Sequence, residues 1–128
     1  EEAISGNGEN ILIVDDNADI RSTSREVLEN LGYLVLEATN GLEAIDQFIS
    51  NKHVISLIIM DVVMPTMGGV KAFEQINAIS PDTKVIFATG YDKDETLKDE
   101  MPSKQCLILS KPYDVVKLSH VIREQLNS

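Results

Sequence analysis

The chain has one cysteine, Cys106, so it cannot form an internal disulfide, and the apolar run around that thiol marks it as an inert core residue. No apolar run approaches the roughly 20 residues that span a bilayer, so the chain is expected to make no membrane contact. No signal-peptide pattern is present, which makes a cytoplasmic setting the default. Lys and Arg number 11 against 21 Asp and Glu, for a net charge of −10. That balance argues against direct nucleic-acid binding, which needs clustered cations. The sequence also lacks an initiator Met, internal repeats and low-complexity tracts, and is read as an excised or processed unit.

What is present is an ordinary globular balance, 43% hydrophobic and 25% charged, over 128 residues, enough for one domain with one real core. Glu1 to Glu9 is polar, contains Gly6 and Gly8, and reads as a flexible tail or linker; residues 10–127 form the expected domain. Five short apolar runs follow: Ile11 to Val14, Tyr33 to Ala38, Ile55 to Asp61, Lys84 to Thr89 and Gln105 to Leu109. Runs of this length, apolar throughout, read as strands buried on both faces.

Between the runs lie amphipathic segments with helical spacing. The first carries Ile20, Val27, Leu28 and Leu31, with Asn17 as N-cap and Gly32 at C′. The second carries Leu42, Ile45, Phe48 and Ile49, and Asn40 and Glu43 have capping-box spacing before it. The third follows the turn Met64-Pro65…Gly68-Gly69 and carries Val70, Phe73 and Ile76. A short, highly charged fourth spans Asp92 to Glu100 and is read as a solvated face. The last is capped by Asp114, with Val115, Leu118, Ile122 and Leu126 inside. Strictly alternating strands and helices call for an α/β fold, one parallel sheet with helices on both faces.

Right-handed crossovers bring every strand's carboxyl end to one edge, where open parallel sheets bind ligands. Asp15, Asp16, Asp61, Thr89 and Lys111 all fall there, although they are far apart in sequence. Three carboxylates crowded in a partly desolvated cleft repel one another and call for a proton or a cation. Hard oxygen donors with open positions suit Mg²⁺, which in turn favours a phosphoryl group. Lys111 and Thr89 could then hold the remaining phosphoryl oxygens, and Asp61, alone on the central strand, is the best-placed carboxylate nucleophile.

Val14-Asp15-Asp16, Asp61 with Met64-Pro65 and Gly68-Gly69, Ala88-Thr89-Gly90, and Lys111-Pro112, in that order, resemble the CheY-like receiver domain of two-component response regulators. The resemblance implies a flavodoxin-like (βα)5 sheet of order 2-1-3-4-5. It implies Asp61 as phosphoacceptor, Mg²⁺ bound by Asp16, Asp61 and the Val63 backbone carbonyl with Asp15 acting mainly through water, and Thr89 and Lys111 on the phosphoryl oxygens. It also implies a cis Lys111-Pro112 bond and a phosphohistidine donor on a histidine kinase or phosphotransfer protein. The isolated domain is then a self-phosphorylating phosphoacceptor rather than an enzyme in its own right. The phrasing of Val63-Met64-Pro65, Thr89-Gly90-Tyr91 and Lys111-Pro112-Tyr113 resembles receivers attached to hybrid sensor histidine kinases.

One position departs from the family's pattern. Ile108 stands where receivers usually carry Tyr or Phe, which argues against a rotating aromatic switch. Tyr91 and Val63 flank the expected phosphoryl site and are read as residues that set the lifetime of the phosphate. Competing readings fare worse. A haloacid-dehalogenase-type phosphatase wants a second Asp where this chain has Val63, and an FMN carrier would have its phosphate repelled by Asp15-Asp16. A receiver-like domain that binds partners without phosphorylation would not need the complete set. His53 and His120 belong to no recognisable phosphotransfer helix pair and are read as solvated or edge-packed.

Overall fold

The computed structural model describes residues 2–89, 107–110 and 114–128. In chain order the elements are β1 (Asn10–Val14), α1 (Ala18–Asn30), β2 (Leu34–Ala38), α2 (Gly41–Asn51), β3 (Ile55–Asp61), α3 (Gly69–Ile79), β4 (Val85–Thr89), β5 (Leu107–Ser110) and α4 (Val115–Leu126). The strands form one sheet of order β2-β1-β3-β4-β5, and every neighbouring pair is parallel. This is the flavodoxin-like order expected from the sequence. The expected helix at Asp92 to Glu100 lies outside the described residues, as do Cys106, Tyr91 and the Lys111-Pro112 bond.

The strands are mostly apolar on both faces because the sheet is covered twice. Leu12, Val14, Ile58, Met60, Val85 and Phe87 point into one core with Ala44, Phe48, Ala72 and Ile76 of α2 and α3. Their neighbours Ile11, Ile13, Leu57, Ile59, Ile86 and Ala88 point into a second core with Leu28, Leu118 and Ile122 of α1 and α4. Successive side chains of a strand alternate faces, so two cores demand apolar residues at both parities. Phe73 closes the first core edge-on against Phe87, ring centroids 5.7 Å apart.

The helix caps follow their chemistry. Asn17 accepts from the Asp19 and Ile20 amides, and Asp114 accepts from those of Val116 and Lys117. Gly32 follows α1 at φ +98°, a left-handed conformation that favours glycine, with the Tyr33 amide returning to the Leu28 carbonyl. The capping box of α2 is shifted by one residue. Asn40 accepts from the Glu43 amide as expected, but Glu43 reaches back to the amide of Thr39, one residue before the cap.

Three apolar residues of the helical patterns lie outside, Val115 among them although expected on an inner face. Leu42 and Ile49 are 46% and 54% exposed, and Val115 is 41% exposed. Helix α2 instead buries Gly41, Ala44, Ile45 and Phe48, so its contact stripe runs over small residues that bring the helix close to its neighbours. In α4 the buried set is Leu118, Ser119 and Ile122.

The stretch expected to be a tail is hydrogen-bonded to the body of the domain. The Ile4 amide donates to the Ser119 hydroxyl, the Gly6 amide to the Leu31 carbonyl and the Gly8 amide to the Gly32 carbonyl. Gly6 lies against the face of Tyr33, where a Cβ would come within 2.4 Å of the ring. Glu9 pairs with Arg123 at 3.1 Å, and His120 meets the Glu2 carbonyl at 3.0 Å, an edge-packed setting for that imidazole.

Candidate functional site: an acidic cluster at the carboxyl edge of the sheet

Strand β1 ends at Val14 and delivers Asp15 and Asp16 to the sheet edge; β3, the next strand over, ends in Asp61. Each of the three offers a carboxylate oxygen, and these oxygens all lie within 4.8 Å of one another. Asp15 is buried, Asp61 half-buried and Asp16 exposed, so the cluster opens to solvent on one side. The Asp15 carboxylate accepts from the Asn17 amide, and that of Asp61 accepts from the amide of Val62. Backbone donors of this kind fix the direction in which the two carboxylates point.

The loop leaving Asp61 is shaped by close backbone approach. The Gly69 amide donates to the Val62 carbonyl, and a Cβ on Gly69 would stand 2.2 Å from the Asp61 carbonyl oxygen. Only glycine lets α3 begin so near the acid. Thr66 has φ +70°, and the Met67 amide closes a three-residue turn onto the Pro65 carbonyl. A β-branched residue is uncommon in that region, so this turn is strained. It is held from outside, because the Met67 carbonyl accepts from the Gly41 amide at the start of α2.

The remaining expected members are placed by the backbone. Asp61 pairs with Ala88, and Thr89 follows it at the end of β4, adjacent to β3. Ser110, the last residue of β5, pairs with Thr89. Lys111 lies outside the described residues. Val63, expected to contribute its carbonyl, sits two residues beyond Asp61 and is 52% exposed.

A cation fits this donor set. Mg²⁺ holds oxygens at about 2.1 Å, so opposite ligands stand about 4.2 Å apart. Three carboxylate oxygens within 4.8 Å of one another match that scale, with direct contacts or one intervening water. Carboxylates at such range repel one another by about 1 to 4 kcal/mol per pair, depending on local screening and neighbouring cations.

Arg21 stands beside the cluster without any mark in the sequence beyond its place one turn into α1. Its Nη1 donates to the Asp15 carbonyl at 2.7 Å and its Nε to Glu37 at 3.2 Å. Glu37 also accepts from Arg25 at 2.6 Å. A charged residue on the edge strand β2 was the available clue, since its neighbours in that strand are apolar.

A parallel sheet of this order, with aspartates from its first and third strands gathered at the carboxyl edge, is the architecture of a phosphorelay receiver. The chain belongs to the response regulator receiver domain family, whose model matches residues 11–123. Sporulation initiation phosphotransferase F of Bacillus subtilis is 30% identical over 118 residues, covering 92% of this chain and 94% of its own length. The autoinducer 1 sensor kinase/phosphatase LuxN of Vibrio campbellii is 36% identical over 124 residues, 97% of this chain but 14% of LuxN. Among solved structures, the response regulator protein TrrA of Thermotoga maritima, in complex with Mg²⁺-BeF, matches with a TM-score of 0.78 at 27% identity, covering 91% of this chain and 98% of that one. The chain therefore spans nearly all of some relatives and only a small part of the sensor kinases it matches. No helix among the described residues is long and apolar enough to cross a membrane.

Proposed function

We propose that this receiver takes a phosphoryl group from a phosphohistidine on a partner histidine kinase or phosphotransfer protein and holds it on Asp61. A carboxylate oxygen of Asp61 attacks phosphorus, the phosphorus–nitrogen bond to the donor imidazole breaks, and the imidazole leaves with the electron pair. The observation that carries this reading is the meeting of Asp15, Asp16 and Asp61 at one edge, with Asp61 on the central strand. Asp16, Asp61 and the Val63 carbonyl would hold Mg²⁺, with Asp15 acting through water; the ion would offset the charge of the acids and of the incoming phosphoryl oxygens. The structural neighbour TrrA is in complex with Mg²⁺-BeF, which supports Mg²⁺ as the cation for a receiver of this fold. Thr89 at the end of β4 and Lys111 just after β5 would hold phosphoryl oxygens. Val63, which is half-exposed, and Tyr91, two residues after Thr89 in sequence, would set how fast water reaches the phosphate. A dehalogenase-type phosphatase is not supported, since Val63 offers no second carboxyl.

The parent is read as a hybrid sensor kinase, a reading supported by the matches to the sensor kinases LuxN and CckA over 97% and 91% of this chain. The test of the domain's own chemistry is incubation with Mg²⁺ and acetyl phosphate, followed by intact mass. One added phosphoryl group is expected, absent in Asp61→Asn. A gain that persists in that variant moves the acceptor elsewhere.

A further inference from the structure

We infer that Arg21 is a positioning residue for the acidic site, setting the direction of Asp15 and Asp16 by clamping the peptide that joins them. This rests on reading those acids with Asp61 as the Mg²⁺ and phosphoryl site.

Asp15 is held at both of its flanking peptides. Its amide donates to the Ala38 carbonyl of β2 at 3.1 Å, and its carbonyl accepts from Arg21 Nη1 at 2.7 Å. That carbonyl belongs to the same peptide plane as the Asp16 amide, so any rotation of it swings both neighbouring carboxylates. Arg21 can act as a rigid strut because its other donor, Nε, is anchored on Glu37 at 3.2 Å. Glu37 is in turn fixed in the sheet, paired with Ile13 of β1, and its second oxygen is held by Arg25. The Arg21 side chain is only 16% exposed, so this fork is largely shielded from competing water. A guanidinium presents such donors in one fixed plane, which a single ammonium cannot do.

Two physical roles for this cation predict opposite signs. As a plain positive charge near a cation site, Arg21 would weaken Mg²⁺ binding, and its removal would tighten it. As a strut, its removal lets the loop relax and weakens binding. Partners that orient metal ligands typically account for 10- to 100-fold in affinity.

The experiment measures Mg²⁺ affinity by titration, and phosphorylation by acetyl phosphate at limiting and saturating Mg²⁺, in wild type, Arg21→Lys, Arg21→Gln and Glu37→Gln. Urea unfolding without Mg²⁺ accompanies each variant. The expected result is about tenfold weaker Mg²⁺ binding in all three variants. The phosphorylation rate should recover to within a few-fold of wild type once Mg²⁺ saturates, and Lys should fail to rescue. Glu37→Gln leaves Arg21 in place and tests the anchor alone if either Arg21 variant fails to fold. Unchanged or tighter binding in Arg21→Gln, or a loss of stability with unchanged affinity, overturns the inference. Wild type that binds no Mg²⁺ overturns the site reading itself, a separate outcome visible before any variant is compared.

Discussion

At Asp61 three demands meet: a strand end, a negative charge among like charges, and a carbonyl pressed against the first residue of α3. The last fixes Gly69, since a Cβ there would stand 2.2 Å from the Asp61 carbonyl oxygen. Gly69→Ala is expected to destabilise the domain by about 2 kcal/mol in urea unfolding, the range of overpacked positions, and to slow phosphorylation by displacing the loop. The crowding of charge has the opposite consequence. Asp61→Asn keeps an acceptor for the Val62 amide while removing one of three clustered charges. It should raise stability without Mg²⁺ by about 1 kcal/mol and abolish the rise in melting temperature that Mg²⁺ gives wild type. A variant less stable than wild type in chelator would show that the acids are not in conflict. The three aspartates could be named from the sequence because strand-end acids at alternate-fold positions are few. Arg21 could not, because its role depends on which carbonyl it reaches.

At the scale of the element, α2 shows what periodicity leaves open. Leu42, Ile45, Phe48 and Ile49 are all apolar, and only packing selects the stripe through Ala44, Ile45 and Phe48. Phe48→Ala should cost about 3–5 kcal/mol, whereas Ile49→Ser, at a half-exposed position, should change stability by less than about 0.5 kcal/mol. Equal losses would mean that the helix is rotated. The start of α2 also carries an acid-sensitive cap. Hydrogen bonds from Thr39 hold the Glu43 carboxyl below its ordinary pKa, with a smaller contribution from the Arg21 charge. A depressed carboxyl adds stability above its unfolded pKa and loses it as pH falls through the folded value. Glu43→Gln is therefore expected to narrow its stability gap from wild type as pH falls below the ordinary glutamate range. A gap constant with pH in denaturant titrations would discount the cap.

At the scale of the whole molecule, the N-terminal stretch joins α1, β2 and α4. It lies over Tyr33, which is 2% exposed, and ties Glu9 to Arg123, itself within 3.4 Å of the Tyr33 hydroxyl. Burial pushes the Tyr33 phenol above its ordinary pKa, against the opposing Arg123 charge. A group with a raised pKa contributes stability below its unfolded value and loses it as pH rises through the folded one. Removing residues 1–8 should lower stability at neutral pH by about 1–3 kcal/mol, through the apolar surface and hydrogen bonds it uncovers, and bring the Tyr33 titration back toward the ordinary tyrosine range. Ultraviolet titration against a Tyr33→Phe background isolates that ring, and an unmoved titration would show that the stretch does not cover it.

The amino-acid order alone determined the alternation of strand and helix, the parallel sheet, the caps at Asn17 and Asp114, and which acids reach the carboxyl edge. These follow from local spacing and from the one-handed geometry of crossovers, both of which are written along the chain. Tertiary structure decided which helical flank turns inward, how the first residues dock on Tyr33, and that Arg21 and Glu37 brace the peptide between Asp15 and Asp16. Those outcomes rest on distances between segments remote in sequence, where a hydrogen bond or a 2 Å clash, rather than periodicity, selects the arrangement.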